Sequence, residues 1–203
     1  MEDKTIGVTG KIGSGKSVVS RVLRCNGFRV YDCDAEAKSI MTLNSIVKTS
    51  IQKKLGKNIY NSNGDLNRKL LASIIFSNEE IRCFINSIVH KAVKEDILRK
   101  RKEIKGLFFI ESAILATGGL TDLCNQVWWI SSPQKLIINR ICKRDNFTLE
   151  EIDKRIKSQE KEFDVIKQKK DCIILINDEH HPILGDILKM VGKYNNKSYF
   201  LSC

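Results

Sequence analysis

The sequence predicts an α/β fold built on a parallel sheet. Two observations carry that prediction: short apolar runs alternate with longer stretches of helical period, and a glycine-rich turn joins the first run to the first helix. Thr5-Ile6-Gly7-Val8-Thr9 is a short strand, and Val18, Val22 and Leu23 mark a helix from about Ser17 to Cys25, closed by Gly27. Phe28 to Asp32 alternates like a second strand. Ala35 to about Leu55 reads helical with an interruption near Thr42–Asn44, and Asn61 to Asp65 is a turn cluster. From Arg68 to Lys105 the period is helical throughout, with apolar residues at Leu70, Leu71, Ile74 and Ile75 and again at Phe84, Ile85, Ile88 and Val89. Leu107-Phe108-Phe109-Ile110 is continuous and apolar, the mark of a strand buried on both faces. Val127 to Ile130 follows as another strand, then a helix from Pro133 to Arg144 with proline in its first turn. Thr148-Leu149-Glu150-Glu151 is a capping box opening a charged helix. Cys172 to Ile176 is a last strand, and Pro182 to Lys193 a last helix. The helical stretches at 68–105 and 148–168 read as insertions over the active edge of the sheet.

Composition narrows the class. At 203 residues, 42% apolar and 29% charged, the chain suits one globular domain and excludes disorder. Two prolines and no Gly/Ser-rich tract leave no linker, and no internal repeat is present. The longest apolar runs fall far short of the ~20 residues a membrane helix needs. The start carries no signal or transit pattern, so a soluble, cytoplasmic protein is expected. Seven cysteines are scattered without zinc-ligand spacing and read as free, reduced side chains, while His180 and His181 read as surface residues. The net charge of +11 suits nucleic acid, anionic membrane or a polyanionic small substrate. Arg99-Lys100-Arg101-Lys102 lacks interleaved aromatics and suits the solvated end of a long helix, so charge alone does not decide the partner.

The chemistry is concentrated in Gly10-Lys11-Ile12-Gly13-Ser14-Gly15-Lys16-Ser17, which fits G-x-x-x-x-G-K-[ST] between a strand and a helix. Glycines there let the backbone wrap a phosphate with its N–H groups inward, and the helix N-terminus adds partial positive charge. Lys16 suits the β- and γ-phosphates, and the Ser17 hydroxyl suits Mg²⁺. A dinucleotide fingerprint is excluded because Val18 stands where its third glycine belongs. The base-reading and switch motifs of regulatory GTPases and the signature of ABC-type ATPases are missing. Asp32-Cys33-Asp34 lies at the end of the second strand, beside the loop in a parallel sheet. If the strand continues, both carboxylates share a face, one suited to take a proton and the other to hold Mg²⁺. The other reading of Asp34 is helix N-capping.

Taken together, these segments resemble the dephospho-coenzyme A kinase family. Thr9 to Ser17 is similar to its T-G-G-I-G-S-G-K-S, and Asp32-Cys33-Asp34 with Ala37-Lys38 to its D-x-D and Ala-basic pair. Asn63-Gly64-Asp65-Leu66-Asn67-Arg68, Ile85 to His90, and Phe108 to Glu111 resemble further family stretches. So do Arg140, Arg144, Arg155, Ile156 and Gln159 in the lid pattern, and Asn177 after the last strand. The resemblance implies a P-loop kinase core (1–35, 106–140 and 170–203), a helical coenzyme-binding region (36–105) and a short helical lid (141–169). It implies phosphorylation of the ribose 3′-hydroxyl of dephospho-coenzyme A by ATP with Mg²⁺, and neither nucleic acid nor membrane as partner. By that match Asp34 is the base, with Lys16 and Thr9 at the reacting groups. Gly10, Lys11, Ile12, Gly13, Ser14, Gly15, Lys16, Ser17 and Val18, with Arg140, Arg144 and Asn177, serve ATP. Asp32, Arg68, His90 and Glu111 serve the acceptor, and Ser17 and Asp32 the metal. Lys11, Val18, Lys91 and Leu107 depart from the family pattern without removing a proposed catalytic group. Two other readings remain, a nucleoside or nucleotide monophosphate kinase and a non-enzymatic ATP-binding P-loop module.

Overall fold

The structure is a computed structural model that describes residues 3–144, 148–169, 171–180 and 183–195. The chain divides into two compact units, one formed by residues up to Tyr31 and from Glu103 onward, the other by Asp32–Lys102.

The strands are β1 (Lys4–Gly10), β2 (Arg29–Asp32), β3 (Leu107–Glu111), β4 (Gln126–Ser131) and β5 (Cys172–Ile176), in the sheet order β2-β3-β1-β4-β5, and all but Asp32 belong to the first unit. β1 runs parallel to β3 and β4, and β4 parallel to β5, with Val8 opposite Glu111 on one side and Trp128 on the other. Ile6 and Val8 point to one face and join Val19 and Leu23 of α1 (Lys16–Cys25) and Ile187, Met190 and Val191 of α9 (Ile183–Asn195) in one core. On the other face Gly7 has no room for a side chain, since a Cβ there would lie 2.6 Å from Leu115 Cδ2. Order reverses at β1, which pairs with β3 on one side and β4 on the other. Ligands of open parallel sheets collect at that switch point.

β2 stops one residue before Cys33, where α2 (Cys33–Leu43) begins, so the strand does not carry Asp32 and Asp34 onto a shared face. Asp32 is the N-cap: its Oδ1 accepts the Ala35 N–H at 3.0 Å. Capping by Asp34 is therefore corrected to Asp32, and Asp34 stands exposed in the first turn.

The second unit continues with α3 (Ser45–Leu55), α4 (Arg68–Ser77) and α5 (Glu79–Lys102). The single helix expected over 68–105 is two, because Asn78 interrupts it. Its N–H goes to Ile74 O and its Oδ1 accepts the Ile81 N–H at 3.0 Å, closing one helix and opening the next. Ile85, Val89, Val93 and Ile97 form the buried stripe of α5 at four-residue spacing, as an amphipathic helix requires.

Back in the first unit, α6 (Gln134–Arg144) and α7 (Leu149–Ser158) pack through Ile137, Ile141, Ile152 and Ile156. The capping box at Thr148 and Glu151 is present. The charged helix expected over 148–168 breaks at Gln159, and α8 (Glu160–Lys169) follows. No disulfide joins the described cysteines, and no described helix is long and apolar enough to cross a membrane. His180 is exposed. His181, Cys203 and the Arg155 side chain lie outside the described residues.

Candidate active site

The carboxyl end of β1 opens into the glycine-rich loop. Gly10 has φ +150°, and a Cβ there would stand 2.3 Å from Ile130 O of the adjacent strand, so only glycine fits. The loop turns on the Ser14 N–H, which donates to Lys11 O at 3.2 Å, and α1 starts with the Val18 N–H on Gly15 O at 3.0 Å. Lys16 folds back across it, its Nζ donating to Gly10 O at 2.8 Å and Lys11 O at 3.1 Å.

Two side chains from the neighbouring strand ends and one from α6 brace this loop from outside. Asn177, just past β5, donates through Nδ2 to Ser14 O at 2.7 Å. The Ser132 hydroxyl, just past β4, sits 2.6 Å from Asn177 O and 3.0 Å from Ser14 O as their shared donor. Arg140 on α6 donates to Ser132 Oγ at 3.0 Å and lies 3.4 Å from Gly13 O and from Asn177 O. A trans peptide carries its C=O and N–H on opposite sides. Drawing Ser14 O outward therefore turns the Gly15 N–H into the loop, the orientation a phosphate needs. Asn177 fits this close only because residue 15 is glycine: a Cβ there, at φ +103°, would be 2.1 Å from Asn177 Nδ2.

Two wholly buried hydroxyls at the loop, Thr9 Oγ1 and Ser14 Oγ, have no hydrogen-bond partner among the described residues. An unpaired buried hydroxyl costs about 1–3 kcal/mol. Ser17 and Val18 are exposed on the first turn of α1, Lys11 and Ile12 are half-buried, and Glu111 ends β3 opposite Val8, also half-buried. Arg144 is exposed at the last residue of α6. These residues all belong to the first unit.

Asp32, Asp34, Arg68 and His90 belong to the second. Arg68 is exposed at the first residue of α4. His90 is half-buried on α5, and burial pushes its imidazole pKa down, favouring the neutral form. The carboxylate of Asp34 has no hydrogen bond or ion pair among the described residues. Sequence reasoning missed Ser132: nothing marks a serine before Pro133 as a brace until the strand register brings it to Ser14. It also missed Glu162, buried on α8, which no local pattern distinguishes from its charged neighbours.

A phosphate loop at the switch point of a parallel sheet, braced by an arginine-bearing helix, is the construction of a P-loop phosphotransferase. Comparison with known proteins narrows this class. The family model for dephospho-CoA kinase matches residues 4–182. The chain belongs to the dephospho-CoA kinase family and is an ATP-dependent kinase. It is 37% identical over 194 residues to the dephospho-CoA kinase of Porphyromonas gingivalis, covering 95% of each chain. Its fold is similar to a crystal structure of a Thermus thermophilus protein (TM-score 0.77, 26% identity, 94% of this chain and 97% of that one). It is also similar to a Campylobacter jejuni dephospho-CoA kinase (TM-score 0.70, 24% identity, covering 95% and 98%).

Proposed function

We propose that this kinase transfers the γ-phosphoryl group of ATP to the ribose 3′-hydroxyl of dephospho-coenzyme A, giving coenzyme A and ADP, the final step of coenzyme A formation. The observation that carries the reading is the braced loop, with Gly15 N–H turned inward and Lys16 across it, in a chain matched to this family over almost its whole length. Both substrates are polyanions, and the net charge of +11 favours their approach.

In this reading the loop amides from Gly13 to Ser17 hold the phosphates, and Lys16 moves from its carbonyls to the transferring group. Thr9 and Ser14 offer their unpartnered hydroxyls beside it. Asp34 accepts the proton of the 3′-hydroxyl as its oxygen bonds to phosphorus and ADP leaves. Arg68, His90 and Glu111 serve the coenzyme. The Ser17 hydroxyl at the start of α1 fits Mg²⁺, which keeps several waters and takes only one or two protein oxygens beside substrate phosphates. Ser17 offers an exposed hydroxyl, and Asp32 keeps one carboxylate oxygen without a partner among the described residues. No cage of three or more His, Cys, Asp or Glu gathers among them. When bound, the ion neutralises charge on the β- and γ-phosphates. Residues 141–169 act as lid, and the enzyme works in the cytoplasm.

Arg140 and Arg144 are four apart on α6, so both serve one face of the nucleotide. Alanine at either is expected to lower kcat/KM for ATP by roughly ten- to a hundredfold. Lysine should rescue poorly, since its ammonium lacks the planar fork. Steady-state kinetics showing both alanine variants unchanged removes these arginines from the nucleotide site.

The acceptor is tested by ADP release with dephospho-coenzyme A, AMP, CMP and adenosine in competition. Dephospho-coenzyme A should dominate. Equal rates across acceptors would place the chain with nucleoside or nucleotide monophosphate kinases, and no release with any would leave an ATP-binding module.

A further inference from the structure

Glu162 is a fully buried acidic side chain, 1% exposed, on α8 beside the exposed charged residues Lys161 and Asp164. Its Oε2 accepts the Ala116 N–H at 2.8 Å and its Oε1 the Thr117 N–H at 2.9 Å, and the Thr117 hydroxyl donates to Oε1 as well. Burying a carboxylate is expensive unless its oxygens are filled, and here three donors from one turn fill them. That turn follows Glu111 and Ser112 at the end of β3. The next residue, Phe163, stacks on Trp129 of β4 at 4.8 Å, and Trp129 is the register partner of Thr9. Three residues before Glu162, Gln159 ends α7, and its Oε1 accepts the Ile12 N–H of the phosphate loop at 2.7 Å. Ile12 also packs its side chain against the Ile137, Ile141, Ile152 and Ile156 cluster. The α7–α8 junction thus touches the loop, the turn after β3 and β4 within five residues.

We propose that Glu162 is a positioning residue for the phosphate loop: anchored on the 116–117 turn, it fixes the start of α8 so that Gln159 holds the Ile12 N–H and sets the loop's curvature. It touches no substrate. Its effect on nucleotide binding passes through Gln159. The kinetic half of the test rests on the ATP reading above; the exchange half does not.

The experiment measures amide hydrogen exchange at Ile12 in the whole protein, with the Trp128 amide of β4 as internal reference, and KM for ATP beside kcat. Glu162→Gln keeps the size of the side chain but sets an NH₂ donor against N–H donors. It should speed exchange at Ile12 by about three- to tenfold, the size of one lost hydrogen bond, with Trp128 unchanged. KM for ATP should rise by a similar factor and kcat change less. Thr117→Val removes one donor and keeps the two amides; it should shift both readouts in the same direction by less, and it keeps the test alive if Glu162→Gln unfolds. Gln159→Ala should reproduce the effect, and adding Glu162→Gln to it should add little, because both act on one contact. A merely structural Glu162 would speed Ile12 and Trp128 together or leave KM for ATP unchanged in the folded variants. Either result, or full additivity with Gln159→Ala, overturns the proposal. Faster Ile12 exchange in a protein that phosphorylates no acceptor would instead overturn the functional reading alone.

Discussion

Lys16→Ala is expected to reduce kcat by two to three orders of magnitude or more while the protein stays folded. Lys16 is the fixed positive charge of the loop, and a donor placed where transition-state charge develops is typically worth about 10²–10³-fold. Its ammonium also spans Gly10 O and Lys11 O, so alanine removes a tie across the loop as well as a charge. Lys16→Met separates the two effects poorly, because it removes both, but it keeps the packing of the stem and guards against collapse. Single-turnover rates with saturating ATP, beside melting temperature, measure the effect. A folded Lys16→Ala enzyme with near-normal turnover would show that phosphoryl transfer happens elsewhere.

Asp34→Asn should lower the rate by about 10²–10⁴-fold, the usual contribution of a general base, or roughly 3–5 kcal/mol of barrier. The structure sharpens this test. Asp32, and not Asp34, caps α2, so changing Asp34 leaves the capping bond to Ala35 in place. Melting temperature should hold, and ATP affinity should change little. Asp32→Asn supplies the control, since asparagine caps as well as aspartate and should preserve the helix while probing the metal role. An active Asp34→Asn enzyme ends the base assignment, as does one inactive only through unfolding.

The parts of the fold that were readable in advance are those whose signal is local and periodic. β3 and β4, buried on both faces, read as unbroken apolar runs, and the phosphate loop carries its glycines where a Cβ would strike Ile130 O or Asn177. At Asp32-Cys33-Asp34 the reading failed for a different reason. Either aspartate suits a cap, and only the residue at which β2 ends decides between them. Asn78 was invisible because the apolar spacing of α4 and α5 continues through it, although asparagine is a favoured cap. Ser132 and Glu162 owe their roles to partners 118 and 45 residues away, so no window of sequence around either residue holds the information.

That sequence distance bears on how the chain acquires its shape during synthesis. Contacts within Asp32–Lys102 become available as soon as that stretch has emerged, whereas Lys4 waits for Leu107 and Ile6 for Gln126. Pairings across so wide a gap carry the loop-closure entropy of everything between, and they form slowly. Ser14 waits longer still, for Asn177, 163 residues downstream. The glycine-rich loop is thus among the first segments made and among the last to take its form. A chain stopped short of Asn177 would carry the whole nucleotide motif and still lack the brace that turns the Gly15 amide inward.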